Sequence, residues 1–225
     1  YIEPNWPRLQ VLGSFRQFGA LAYAWARLIP LPHRTLFERP WMEGYITVDR
    51  GPLTGAYESD NGAFRSEGDS PSFMHQIEVG LRSLENPGYG GWGGRFAPEK
   101  PGVNNVWRDA EDDGDVYKPI WRWATAFQND FAARAAWCVN SYRDSNHAPV
   151  LTLAGPADVE AAAGSAVTLD VSGSGDPDGN RLYYSWWQYR EPGTYKGTVA
   201  IRDADRGLAT VVIPADAKPG DTIHL

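Results

Sequence analysis

Between Thr125 and Tyr142 the apolar residues Phe127, Phe131, Ala135, Cys138, Val139 and Tyr142 recur three and four positions apart, a period that predicts an amphipathic helix. Asp130 and Arg134 then share its solvent face four residues apart, the geometry of a weak surface pair. Shorter apolar clusters predict helices over Phe15–Ala26, Pro40–Val48 and Pro71–Leu81. The last carries a start signal, because Asp69 or Ser70 stands where a cap is needed and Pro71 suits a first helical turn. From Leu84 to Lys118 the periodicity gives out, and the run of Gly, Pro and acidic residues predicts a long loop.

Near Asn146-His147-Ala148-Pro149 the texture changes. Downstream, Val150–Leu153, Ala166–Val171, Leu182–Tyr189, Val199–Ile201 and Thr210–Ile213 alternate with a period of two and are divided by turn residues. Short strands at this spacing predict an Ig-like β-sandwich. The chain is therefore expected to divide into one domain over 1–146 and a second over 147–225. An apolar alternation resumes only at Ile223-His224-Leu225, so a final strand or pair is expected to be missing and the sandwich truncated with an open edge.

Composition narrows the partners. With 225 residues and 42% hydrophobic content the chain can fill one large core or two small ones. The net charge of −7 comes from dispersed acidic residues, which argues against a nucleic-acid partner. No apolar run reaches the roughly 18 to 20 residues of a membrane-spanning helix, and no membrane partner is expected. The first residues lack a signal-peptide pattern, but the chain starts at Tyr1 and not Met, which is read as truncation or processing. Cys138 stands alone, so no internal disulfide forms, and it is expected to pack as a small apolar residue. The 10 Trp, 11 Tyr and 8 Phe suit either cores or stacking platforms for sugar rings, and composition does not separate the two uses.

Several segments carry candidate chemistry. In Glu67-Gly68-Asp69-Ser70-Pro71-Ser72-Phe73, Asp69 lies just before a helix, where it either caps the helix or points a carboxylate into a cleft. In Gly90-Gly91-Trp92-Gly93-Gly94-Arg95, the glycines permit close backbone approach and leave Trp92 to stack on a ligand or to plug a core. Arg95 can pair with a ligand or with a buried carboxylate. The acidic run Asp112, Asp113 and Asp115 lacks calcium-loop spacing and reads as a solvated loop. His75, within the expected helix, is read as structural. In the second half, Gly175-Asp176-Pro177-Asp178-Gly179-Asn180 is a strong turn leading into Leu182-Tyr183-Tyr184-Ser185-Trp186-Trp187-Gln188-Tyr189. A two-residue period puts Leu182, Tyr184 and Trp186 on a core face and Tyr183, Trp187 and Tyr189 on the other, as an aromatic row for stacking or domain packing. The turn itself looks like that of polycystic-kidney-type and cadherin-like Ig domains.

The Glu67–Phe73 segment, with Gly51-Pro52-Leu53, Gly90–Arg95, Trp121-Arg122-Trp123 and Ala126–Arg134, resembles the bacterial cellulose-binding, nucleoside-hydrolase-like family, and the Ig-like tail matches as well. The resemblance implies that residues 1–146 are the C-terminal portion of an α/β nucleoside-hydrolase-like domain. It implies calcium held by an aspartate cluster, with Asp69 matching a late metal ligand and the remaining ligands and the base upstream of Tyr1, so that this stretch alone is inactive. Calcium's preference for hard oxygen ligands suits that role. One departure stands out: Gly68 occupies the place where a nucleoside hydrolase often has a histidine that assists the leaving base.

On this resemblance the expected function is a secreted carbohydrate-active protein, extracellular or periplasmic, whose hydrolase-like domain acts on glycosyl bonds and which binds polysaccharide such as cellulose. The ligand-binding residues expected are Trp92, Arg95, Trp187 and Tyr189. The alternative is a non-catalytic cellulose or plant-polysaccharide binder. A plain structural spacer is a third reading, typical for the β-domain but not for the larger part.

Overall fold

The computed structural model describes residues 2–57, 62–102 and 105–225. The chain forms two compact units, Tyr1–Ser145 and Asn146–Leu225.

The larger unit contains seven helices among its described residues, α1 (Ile2–Asn5), α2 (Trp25–Leu28), α3 (Arg39–Met42), α4 (Gly51–Gly55), α5 (Ser70–Met74), α6 (Lys118–Trp121) and α7 (Ala124–Trp137). Only α7 is long. It buries Phe127, Gln128 and Ala135 and leaves Arg134 on Asp130 at 2.7 Å, as its periodicity predicts. It stops at Trp137, before the expected Tyr142. Beyond it the side chains of Asn140 and Ser141 bond to Asp144, a local alternative to continuing the helix. Cys138 falls in this exposed end and does not pack inside, contrary to expectation.

The other expected helices are shorter for identifiable reasons. Pro40–Val48 is realised as α3 running into a π-helical turn over Glu43–Thr47. The Phe15–Ala26 segment opens as a 3-10 turn at Gln17–Ala20, because one carboxylate oxygen of Asp109 accepts from the backbone N–H groups of Phe15 and Arg16 at 2.9 and 2.6 Å. Helix α5 ends at Met74 in place of Leu81. Ser83 donates its hydroxyl to the carbonyl of His75 at 3.1 Å, and positive φ at Gly80 and Arg82 turns the chain back.

Around Phe37 these pieces share a core. Its ring packs against Trp25, Phe64 and Phe127 with centroids 5.8, 4.9 and 6.1 Å away, and Ile29, Met42, Ile46 and Ile120 are fully buried beside it. The expected long loop over Leu84–Lys118 is more ordered than its sequence suggests, with Val103 and Asn104 outside the described residues. It contributes β2 (Phe96–Pro98) and β3 (Val106–Asp109), which join β1 (Val11–Gly13) in a sheet of order β1-β3-β2. Strand β1 runs parallel to β3 from Val11↔Val106 to Gly13↔Arg108, and β2 runs antiparallel to it. A three- or four-residue strand has too few positions to show a period, and its partner lies far away in sequence.

In the smaller unit β4 (Ala166–Asp170), β5 (Ala200–Arg202) and β6 (Leu208–Val212) form an antiparallel sheet with β6 in the middle. Val211 and Ala209 of β6 are buried. Two of the five expected strands, Val150–Leu153 and Leu182–Tyr189, do not join this ladder. Each makes one isolated bridge, Val150 to Gly175 and Tyr189 to His224.

Candidate functional site

The Gly-rich loop is shaped by its neighbours in the chain. Gly91 and Gly94 exchange backbone hydrogen bonds at 3.0 Å, leaving Trp92 and Gly93 at the tip of a tight hairpin. A Cβ on Gly93 would stand 2.1 Å from the carbonyl oxygen of Pro71 and 2.3 Å from the amide of His75, so the tip is pressed onto the backbone of α5. Trp92 is half-buried against the core, edge-on to Phe127 at 6.5 Å. The hairpin thus brings the Trp92–Arg95 segment against the helix whose N-cap is Asp69.

Arg95 has a protein partner. Its Nε donates to Asp112 Oδ1 at 2.7 Å, and Arg122 donates to the other oxygen of the same carboxylate at 2.7 Å. Asp112 is fully buried, which corrects the reading of the acidic run as a solvated loop at that position, whereas Asp113 is exposed as that reading expects. Asp112 and Asp115 bracket a two-residue turn in which Asp113 and Gly114 have φ of 52° and 78°, as a mirror-image hairpin turn requires. Lys118 pairs with Asp113, and Asp115 accepts from the indole of Trp121 at 3.0 Å. The Asp-Gly dipeptide was the available sequence signal for this hairpin.

Gln17 and Asp109 anchor the same region, and sequence reasoning passed over both. The buried amide of Gln17 donates to the carbonyl oxygens of Arg95 and Ala110 at 2.6 and 3.1 Å and accepts from the Arg95 amide at 3.1 Å. No periodic pattern marks a single buried glutamine.

Asp69 occupies the N-cap position of α5 but makes no side-chain capping bond, and it is exposed. The carboxylate with local work is Glu67. It accepts from the Tyr57 hydroxyl at 2.5 Å and from the Ser70 hydroxyl. Burial, reinforced by Glu67, holds the Tyr57 phenol far above its ordinary pKa. His75 is 5% exposed, edge-on to Phe96, and its Nδ1 has no hydrogen-bond partner among the described residues. Burial pushes its pKa down and keeps the imidazole neutral. Among the described residues no group of three or more His, Cys, Asp or Glu side chains converges as a metal site. Calcium takes about six to eight oxygens. Asp69 offers one free carboxylate and Glu67 is engaged, so the donors described here do not by themselves fit that ion.

In the smaller unit, Asp176 accepts from the amides of Asp178 and Asn180, and Asp178 accepts from the amide and ring of His147 at 2.6 and 2.8 Å. The His147 bonds hold the Asp178 carboxyl below the usual range. These oxygens serve the turn. Of the expected aromatic row, Tyr183 and Trp187 are 83% and 42% exposed, whereas Tyr189 is 3% exposed and does not belong to the surface. Its ring lies 5.6 Å from that of Trp187, and its amide donates to the carbonyl of His224.

Residues 1–96 match a family described as "Cellulose-binding Sde182, nucleoside hydrolase-like domain", and residues 166–225 match "Cellulose-binding protein Sde0182, C-terminal domain". A solved structure from Saccharophagus degradans, described as a nucleoside hydrolase-related hypothetical protein associated with carbohydrate metabolism, is similar at 31% identity and a TM-score of 0.75. The similarity covers 99% of this chain and 53% of that one, so the chain spans about half the length of that relative. No match was found among curated proteins.

Proposed function

Because residues 1–96 and 166–225 match the nucleoside-hydrolase-like and C-terminal domain models of the cellulose-binding Sde182 family, we propose that the chain is part of a carbohydrate-active protein that binds polysaccharide and carries a hydrolase-like domain for glycosyl bonds. The observation that carries this reading is the pair of family matches, one at each end of the chain. The smaller unit is proposed as an Ig-like module. Its antiparallel sheet and the two singly bridged extended segments support that assignment. Action on an insoluble polysaccharide supports an extracellular or periplasmic location.

Within the larger unit, Asp69 is proposed as a single ligand to calcium in a site completed by other carboxylates. Its exposed carboxylate, with no capping bond, leaves its oxygens available. The chain's own contribution is to hold Asp69 at the N-cap of α5, against whose backbone the tip of the Gly91–Gly94 hairpin packs. Trp92 and Arg95 are proposed to act through that hairpin, since one packs on the core and the other on Asp112.

A second reading is a binder without turnover. Gly68 favours it over nucleoside cleavage, because glycine offers no side chain to protonate a departing base.

The test compares the full-length protein with and without calcium, scoring retention on insoluble cellulose and release of sugar from nucleosides and glycans. Calcium-dependent release is the expected result for the hydrolase reading. Retention without release would move the assignment to the binder, and neither would refute both.

A further inference from the structure

Resting on the polysaccharide-binding reading above, we propose that the extended segment 181–187 is the stacking platform for a flat β-linked glucan chain, with Tyr183 and Trp187 as the two anchors and Arg181 and Ser185 as hydrogen-bonding partners for sugar hydroxyls. The segment lies outside the hydrogen-bonded ladder, yet it is pinned from its inner side. The backbone N–H of Trp186 donates to the Ala204 carbonyl, and its indole N–H donates to the Arg206 carbonyl, both at 2.8 Å. The Gln188 side chain bridges the Gly197 carbonyl and the Val199 amide at 3.0 and 2.9 Å. Exposure alternates residue by residue from Arg181 to Gln188, the pattern of extended backbone, in which successive side chains point to opposite sides. Fixing Trp186 and Gln188 inward therefore turns Arg181, Tyr183, Ser185 and Trp187 outward.

The outward side has the chemistry of a sugar surface. Tyr183 is 83% exposed and Trp187 42%, well beyond what these rings show in a core. Four residues at about 3.3 Å each separate them by roughly 13 Å, a span covered by a short run of pyranose rings. Ser185 between them is exposed and small, so the floor stays low where a linear polymer would cross. The Arg181 guanidinium lies over the Tyr183 ring, 5.2 Å from its centroid, and brings planar N–H donors to the same side of the segment. The buried Tyr189 packs beside the indole, with ring centroids 5.6 Å apart. Aromatic faces stack on the apolar face of a sugar ring while polar tips meet the hydroxyls, and pre-fixing both rings reduces the ordering cost of binding. The whole strip lies inside the matched residues 166–225.

The experiment measures binding of the full chain to microcrystalline cellulose by depletion and to cellohexaose by calorimetry, for the wild type, Tyr183→Ala, Trp187→Ala, the double variant and Trp187→Phe. Each alanine variant should weaken binding about tenfold, with Trp187→Phe recovering most of its loss. Thermal unfolding should stay close to wild type for Tyr183→Ala, whose side chain stands in solvent, and for Trp187→Phe, which keeps a ring beside Tyr189, so lost binding is read apart from lost packing. Tyr45→Ala, which removes an exposed ring of the larger unit, should bind as wild type does. If the wild type binds and the double variant binds equally well, the platform assignment is wrong while the polysaccharide reading stands. If the wild type binds neither ligand, that reading falls and takes the platform with it. A double variant that instead changes the sedimentation of the protein would identify the strip as a contact between copies, which also overturns the proposal.

Discussion

Arg95 and Asp112 meet across 2.7 Å with the carboxylate wholly inside the protein, and a second arginine, Arg122, closes its other oxygen. Removing one member of a buried charged cluster strands the rest without solvent. Asp112→Ala leaves two guanidinium groups facing each other and should cost about 3–5 kcal/mol in urea unfolding. The loss should be insensitive to added salt, since the arginine side chains are only 12% and 14% exposed.

Gly93 has no room for a side chain, because a Cβ would overlap the carbonyl oxygen of Pro71 and the amide of His75. Gly93→Ala should destabilise by about 1–3 kcal/mol, the cost of forcing packed backbone apart. Gly68→Ala, with open space around its Cβ, should change stability by less than about 0.5 kcal/mol. Equal effects of the two substitutions would show that the hairpin does not bear on α5.

Asp69→Ala separates the two readings of that residue. A capping carboxylate would cost about 1 kcal/mol on removal. As its side chain makes no capping bond, the expected change is under about 0.5 kcal/mol. Calcium affinity of the full-length protein, measured by calorimetry, should fall if Asp69 is a ligand. An unchanged affinity would sink that assignment.

His75 should make the larger unit sensitive to acid. Burial lowers its folded pKa below the unfolded value of about 6.5. Below about pH 6.5 the unfolded chain therefore binds more protons than the folded one, and stability falls as pH drops until the folded imidazole also charges. The stability contribution is fully present above the unfolded pKa. His75→Gln should flatten the fall in urea midpoint between about pH 7.5 and 5 relative to wild type.

Tyr57 should be silent in an alkaline titration. Its phenol is held far above its ordinary pKa by burial and by Glu67. Tyr57→Phe should leave the ultraviolet ionisation amplitude below about pH 12 unchanged while lowering stability by about 1.5–3 kcal/mol, the worth of a hydrogen bond to a charged group. A drop in amplitude would mean that Tyr57 titrates with the exposed tyrosines.

Local pattern determined what depends on neighbours within a turn or two. The apolar spacing around Phe127 and Phe131 sets α7, and the Asp130–Arg134 pair follows from a four-residue offset on its surface. Alternation marks β4, and the motifs from Gly51 to Arg134 carry the resemblance to the cellulose-binding, nucleoside-hydrolase-like family. Hydrophobic period is a local property, and it is strongest where an element is long enough to repeat it.

Only tertiary structure decided the fate of the polar and glycine-rich residues between those elements. Asp112 is buried because two arginines from distant positions converge on it, and Gly93 is needed because α5 lies behind it. Tyr189 goes inside while Trp187 stays out, although both stand on the face that a two-residue period assigns to solvent. The alternation ends at the bridge to His224, a partner 35 residues along the chain (224 − 189). Whether a carboxylate caps, pairs or stands free is set by which donors arrive in space. Sequence spacing carries no record of them when they come from far away.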